Sequence, residues 1–203
     1  FDFLEEIGGE KYAGRVLGRL SKTYVNQGRF GRGIEAYRLL LEMNPTVPDA
    51  PKYQREIAKA YMAMGDADKV YESLKTLAET YGPGTKWARQ QGDPERVKAT
   101  LRRNEQLIRA QALKYHERGQ RESDGKVLEN AARLYRVYLD HFPGSPNAYQ
   151  IQFYMAEILF HRLEKYAEAG EAYLKAARLN QKGKYTRDAL YNAIGAFERV
   201  REE

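Results

Sequence analysis

Residues Leu17 to Pro45 read LGRLSKTYVNQGRFGRGIEAYRLLLEMNP. At helical spacing, Leu17, Leu20, Ser21 and Tyr24 fall on one face of a first helix. Gly28 then breaks that helix, and Gly33, Tyr37 and Leu40 line the inner face of a second. Asn44-Pro45 stops the second helix, because proline has no amide hydrogen to donate and restricts the residue before it. Ser21 and Gly33 are the small residues expected to let two antiparallel helices approach, while Tyr24 and Tyr37 fill the gap to the next unit.

This order of large, small, aromatic, turn, small, aromatic and proline resembles the tetratricopeptide repeat, a helix–turn–helix unit of roughly 34 residues. Such a repeat cannot bury its own apolar face, so neighbours must stack. The resemblance implies an all-α fold, a right-handed α-solenoid of stacked antiparallel helix pairs with a concave inner surface.

The likeness extends along nearly the whole chain, read as a single domain over residues 1–203 cut from something longer. Phe3, Leu4 and Ile7 suggest the tail of a preceding helix, broken at Gly8-Gly9. Repeats are expected at about 14–47, 51–84, 94–146 and 150–183, with a terminal helix at 186–201. Tyr24 and Gly28 recur as Tyr61 and Gly65, with Ile57, Ala58, Val70, Leu74 and Leu77 at the core positions of repeat two. Trp87, after a Gly-Pro-Gly turn, reads as a buried plug at a junction, the alternative being an exposed anchor for a partner. The third repeat is lengthened and irregular. Asp93-Pro94 opens a long helix patterned by Val97, Leu101, Leu107, Ile108 and Leu113, whose partner turns Ala131, Tyr135 and Tyr138 inward. Repeat four carries Phe153, Ala156, Phe160, Tyr166, Ala169, Tyr173 and Ala176; the last helix repeats the pattern with Leu190, Ala193, Ile194 and Phe197.

Composition narrows the function classes. The 203 residues are 42% hydrophobic and 31% charged, as expected of a folded, helical chain with a sizeable core. The net charge of +6 is spread thinly, at 0, +2, +3 and +1 over residues 1–50, 51–100, 101–150 and 151–203. No block forms a basic tail, which argues against a nucleic-acid footprint. The absence of cysteine removes disulfides, thiol catalysis and thiolate metal sites. The chain begins at Phe1 without methionine, as expected of a processed or excised segment.

Nothing in the sequence marks an enzyme, a metal site or a cofactor. His116, His141 and His161 lack the spacing of a zinc helix, and the Gly28–Gly33 stretch lacks the spacing and preceding strand of a phosphate loop. It reads as the turn between two helices.

The family's geometry implies that partners contact the inward face of each first helix. That face carries Arg15, Gly18, Lys22, Val25 and Asn26 in repeat one and Lys52, Arg55, Lys59, Met62 and Ala63 in repeat two. In repeat four it carries Ile151, Tyr154, Ile158, His161 and Arg162. The candidate partner-binding residues are therefore Arg15, Lys22, Asn26, Lys52, Arg55, Lys59, Tyr154, Ile158, His161 and Arg162. They describe a surface that is cationic at its N-terminal end and aromatic–aliphatic at its C-terminal end: either ordinary solvated lysines and arginines, or a groove suited to a protein or peptide segment with acidic and apolar anchors. The lysine–asparagine carboxylate clamp of co-chaperone repeats is incomplete, because Gly18 and Lys22 occupy its positions.

The functional expectation is a protein-interaction scaffold, monomeric or part of a multiprotein complex. Tyr135, Tyr138-Leu139 and Phe142-Pro143-Gly144-Ser145-Pro146 look like bacterial envelope-associated members of the family, including outer-membrane assembly lipoproteins and scaffolds of motility or secretion machines. They imply a periplasmic or outer-membrane-associated setting. The competing classes are a basic helical-repeat nucleic-acid binder and an accessory module of a larger enzyme.

Overall fold

Helix breakers and caps set the element boundaries in the computed structural model, which describes residues 2–202 and, for side chains, residues 14–202. The helices are α1 (Asp2–Asn26), α2 (Phe30–Met43), α3 (Ala50–Met64), α4 (Ala67–Tyr81) and α5 (Lys86–Gln90). They continue as α6 (Pro94–Glu122), α7 (Gly125–His141), α8 (Ala148–His161), α9 (Tyr166–Leu179) and α10 (Thr186–Glu202). Gly28 and Gly65 end α1 and α3 in the left-handed region, each with φ of 73°, where a side chain would be strained. Asp66, Asp93 and Asp124 cap α4, α6 and α7 by accepting first-turn amides.

Two compact units, Phe1–Asn104 and Glu105–Glu203, divide the chain within α6. In the first, α1 to α4 pack in succession, each on the next, as an α-solenoid requires. Ser21 and Gly33 make the expected close approach: a Cβ on Gly33 would lie 3.3 Å from the Ser21 carbonyl oxygen. Tyr37 reaches the following repeat and stacks on Tyr53 at 5.8 Å. Ile57, Ala58, Tyr61, Val70, Leu74 and Leu77 are buried as read from the pattern. Trp87 is 2% exposed and lies edge-on to Tyr81, a plug as expected.

In the second unit α7 packs on α8, α8 on α9, and α9 on α10. Tyr135, Tyr138 and Tyr173 are fully buried at the packing positions. Their burial pushes all three phenols above the ordinary tyrosine range.

Several expectations fail for identifiable reasons. α1 runs unbroken through Gly8-Gly9; the face proposed for Phe3, Leu4 and Ile7 lies outside the described side chains. Leu20 is exposed, because Leu17 and Ser21 turn toward α2 instead. α2 already begins at Phe30, so the glycine-rich stretch is only partly a turn. The buried side of α6 carries Thr100, Asn104, Ile108, Ala112 and His116, an i+4 row, with Gln111 and Tyr115 beside it; of the predicted aliphatic set Ile108 is buried, whereas Val97, Leu101, Leu107 and Leu113 are half-buried. Asn104 donates to the Tyr81 carbonyl at 2.9 Å, and His116 Nδ1 lies 2.9 Å from the Tyr135 hydroxyl, while the buried His116 Nε2 has no hydrogen-bond partner. In α10, Ala189, Ala193 and Ala196 face inward, leaving Leu190 and Ile194 exposed.

Candidate functional site

The repeat-one helix, the following linker and the start of repeat two enclose a groove of about 760 Å³ in the first unit. α1 presents Arg15, Arg19 and Lys22 at spacings of four and three residues, so all three sit on one face. Gly18 lies between them and leaves that face open. Leu40 and Met43 from the end of α2, Val47 from the linker and Tyr53 from α3 contribute the apolar lining. Lys52 enters from the first turn of α3, and Arg96 from the first turn of α6.

Hydrogen bonds from outside the linker fix its backbone. The Trp87 indole N–H donates to the Val47 carbonyl at 3.0 Å, and Gln91 Nε2 donates to the Thr46 carbonyl at 3.1 Å. Asn44 Oδ1 accepts the Thr46 amide and hydroxyl. The groove wall is thus a braced segment although it has no regular secondary structure.

Among the described lining residues, five cations face one carboxylate, Asp49. Asp49 Oδ1 is 2.7 Å from Arg96 Nη2. Burial and the nearby Asp49 charge raise the Tyr53 phenol above its ordinary value. This arrangement concentrates positive potential over an apolar surface.

Three of the sequence-predicted residues, Arg15, Lys22 and Lys52, meet in this groove. Asn26 is exposed at the last residue of α1 and does not line it. Arg55 is half-buried and donates to Asn104 Oδ1 at 2.6 Å; burial first, then the neighbouring Arg103 guanidinium, lowers its pKa. Lys59 pairs with Glu56 at 2.8 Å, one helical turn earlier. Both cations therefore already have partners and stand apart from the groove.

The second-unit candidates lie on α8 and are less uniform than expected. Tyr154 is half-buried, accepts from Gln150 Nε2 at 2.7 Å and lies edge-on to His116. Ile158 is 1% exposed and Ile151 likewise, so both belong to the core and present nothing to a partner. Their side chains fill the contacts of α8 with its neighbours, which the family register did not distinguish from the inner face. His161 is exposed, with Nε2 3.8 Å from Glu157 Oε2, and exposed Arg162 ends the helix.

The sequence reading missed Arg19, Arg96, Asp49 and Tyr53. Arg19 carried a signal, lying four residues after Arg15 on the same helical face. Arg96 carried none, since only the fold returns α6 to the linker.

Family models of the tetratricopeptide repeat match residues 14–47 and residues 125–184 of the chain. Repeats of this kind mediate protein–protein interaction and typically serve as non-enzymatic scaffolds. Among solved structures, the chain is similar to the nearly identical TPR-like repeats assigned to a Podosopora anserina kinesin light chain, with 17% identity and a TM-score of 0.37 over 93% of this chain and 88% of that one. It is also similar to a thermophilic TPR protein of Thermus thermophilus, at 19% identity and a TM-score of 0.32 over 89% of this chain and 98% of that one. No curated protein matches the chain. No helix among the described residues is long and apolar enough to cross a membrane.

Proposed function

We propose that the chain is an interaction scaffold whose first unit binds a protein segment with acidic and apolar anchors. The observation that carries this reading is the groove itself: Arg15, Arg19, Lys22, Lys52 and Arg96 converge over Leu40, Met43, Val47 and Tyr53. Cations at an open rim accelerate encounter with an acidic chain, and the apolar floor slows its release.

A periplasmic or outer-membrane-associated setting, in envelope assembly, motility or secretion, rests on the sequence likeness of residues 135–146. Tyr135, Tyr138 and Phe142, which carry much of that likeness, are all buried. They therefore speak to packing more than to role. Fractionation of the native protein, with a cytosolic marker alongside, tests the setting; recovery in the cytosolic fraction would remove it.

The groove is tested by fluorescence anisotropy with a short labelled peptide of repeated Glu-Glu-Leu. A Lys-Lys-Leu peptide and a single-stranded oligonucleotide serve as comparisons. The Glu-Glu-Leu peptide should bind, and the Lys22→Glu/Lys52→Glu pair should weaken it about tenfold or more. Indifference to that reversal, or equal binding of the basic peptide, overturns the reading. Preferential binding of the oligonucleotide, with affinity falling steeply as salt rises, would transfer the groove to a nucleic-acid ligand.

A further inference from the structure

Asp49 stands at the N-cap of α3, yet its side chain makes no capping hydrogen bond. Aspartate is favoured at that position because it accepts amides of the first turn, as Asp66, Asp93 and Asp124 do elsewhere in this chain. At α3 those amides are not on offer. The Ala50 amide donates to the Val47 carbonyl, Pro51 has no amide hydrogen, and the Lys52 amide donates to the Asp49 carbonyl. The Asp49 carboxylate is consequently free of local duty and turns to Arg96, 2.7 Å away.

Arg96 is equally out of place by local rules. It lies in the first turn of α6, at the positive end of the helix dipole, where a cation is disfavoured. Both side chains remain about half exposed, at 49% for Arg96 and 50% for Asp49, and both line the groove. An ion pair this open exchanges readily with solvent and with competing charges.

We infer that Asp49 is a tethered competitor for the acidic group of the ligand, and so sets how acidic a segment must be to bind. This rests on the reading of the groove as a seat for acidic segments. While Asp49 holds Arg96, the groove has one cation fewer to offer. A ligand carboxylate that takes Arg96 must displace Asp49, and the displaced charge stays nearby, beside Lys52. A segment with clustered acidic side chains meets that competition through several cations at once, whereas one with a single acidic residue does not. Asp49 thereby discriminates between acidic clusters and isolated acidic residues.

The experiment is anisotropy of the Glu-Glu-Leu peptide, and of a matched peptide bearing one Glu among Ser and Leu, against wild type, Asp49→Asn, Arg96→Gln and the double variant. Asp49→Asn should tighten both peptides about three- to tenfold at low salt, the single-Glu peptide most, with the gain shrinking as salt rises. The gain should vanish in the Arg96→Gln background. Because Asp49 makes no capping bond, its variant should melt with the wild type, and thermal denaturation checks that it does.

Unchanged or weaker binding by Asp49→Asn, with the wild type still binding and the Lys22→Glu/Lys52→Glu pair still weakening it about tenfold or more, overturns this inference and leaves the groove reading standing. A gain that persists without Arg96 also overturns it, since Asp49 would then act only through the general field. Failure of the wild type to bind the Glu-Glu-Leu peptide removes the groove reading and this inference with it.

Discussion

Trp87 offers the most direct test of how the groove wall is held. The chain has one tryptophan, so its fluorescence reports on the first unit alone. The indole is 2% exposed, edge-on to Tyr81 at 6.0 Å, and donates to the Val47 carbonyl at 3.0 Å. Trp87→Phe keeps an aromatic plug but removes that donor and part of the ring. Val47 is not orphaned, because its carbonyl also accepts the Ala50 amide at 3.0 Å. The lost hydrogen bond should therefore cost about 1 kcal/mol, without the larger penalty of a buried unpaired group. The smaller ring adds roughly 1 kcal/mol of lost burial and packing. The sum is about 2 kcal/mol for Trp87→Phe, against about 3–5 kcal/mol for Trp87→Ala. Urea denaturation followed by circular dichroism measures both, and wild-type fluorescence assigns the affected transition to the first unit. The loosened linker should also weaken Glu-Glu-Leu peptide binding in Trp87→Phe while its helical content stays intact. A Trp87→Phe protein that matches the wild type in stability and peptide affinity would refute the bracing role.

Two further outcomes follow from the second unit. Burial holds the His116 pKa below its ordinary value, so the folded state favours the neutral ring and the unfolded chain takes up the proton first. Stability contributed by that ring is fully present above about pH 6.5 and falls as pH drops below it, by at most about 1.4 kcal/mol per pH unit. Denaturation midpoints at a series of pH values should show this slope, and His116→Gln should flatten it; an unchanged slope would refute the assignment. Ile158→Ala should destabilise by about 2–5 kcal/mol while leaving Glu-Glu-Leu peptide affinity unchanged, since the side chain is core and lies outside the groove. A loss of affinity in a still-folded variant would return Ile158 to the binding surface.

The repeats were legible where their packing depends on residue size and on backbone breaks. Ser21 against Gly33 and the Gly28 turn declare close approach and reversal in any helical context. Periodicity failed where a polar stripe became core. In α6, Asn104 and His116 are buried because Tyr81 and Tyr135, distant in sequence, supply their partners. An apolar pattern count passes over those two positions, because burying a polar side chain is costly without a partner; Asn104 has one, and His116 has one at Nδ1 and none at Nε2. The α10 face failed differently. Its alanines sit inward, where α9 packs closely, and its larger Leu190 and Ile194 are left outward.

The site was partly legible for a related reason. Assigning candidate residues by helix face reached the groove-lining cations Arg15 and Lys22 of α1 and Lys52 in the first turn of α3. It overreached at Lys59, whose partner Glu56 stands in the same helix at a spacing visible in the sequence. Arg55 could not be dismissed that way, because Asn104 lies 49 residues further on. The groove itself depends on the linker between α2 and α3, whose backbone is held from α5 and its C-cap by Trp87 and Gln91. That linker places Val47 and Asp49 in the lining, and α6 adds Arg96. The groove's lining therefore comes from the joint between repeats as much as from their inner faces. Substitutions at Asp49 or Arg96 should alter which acidic segment binds without altering the repeats that carry the groove.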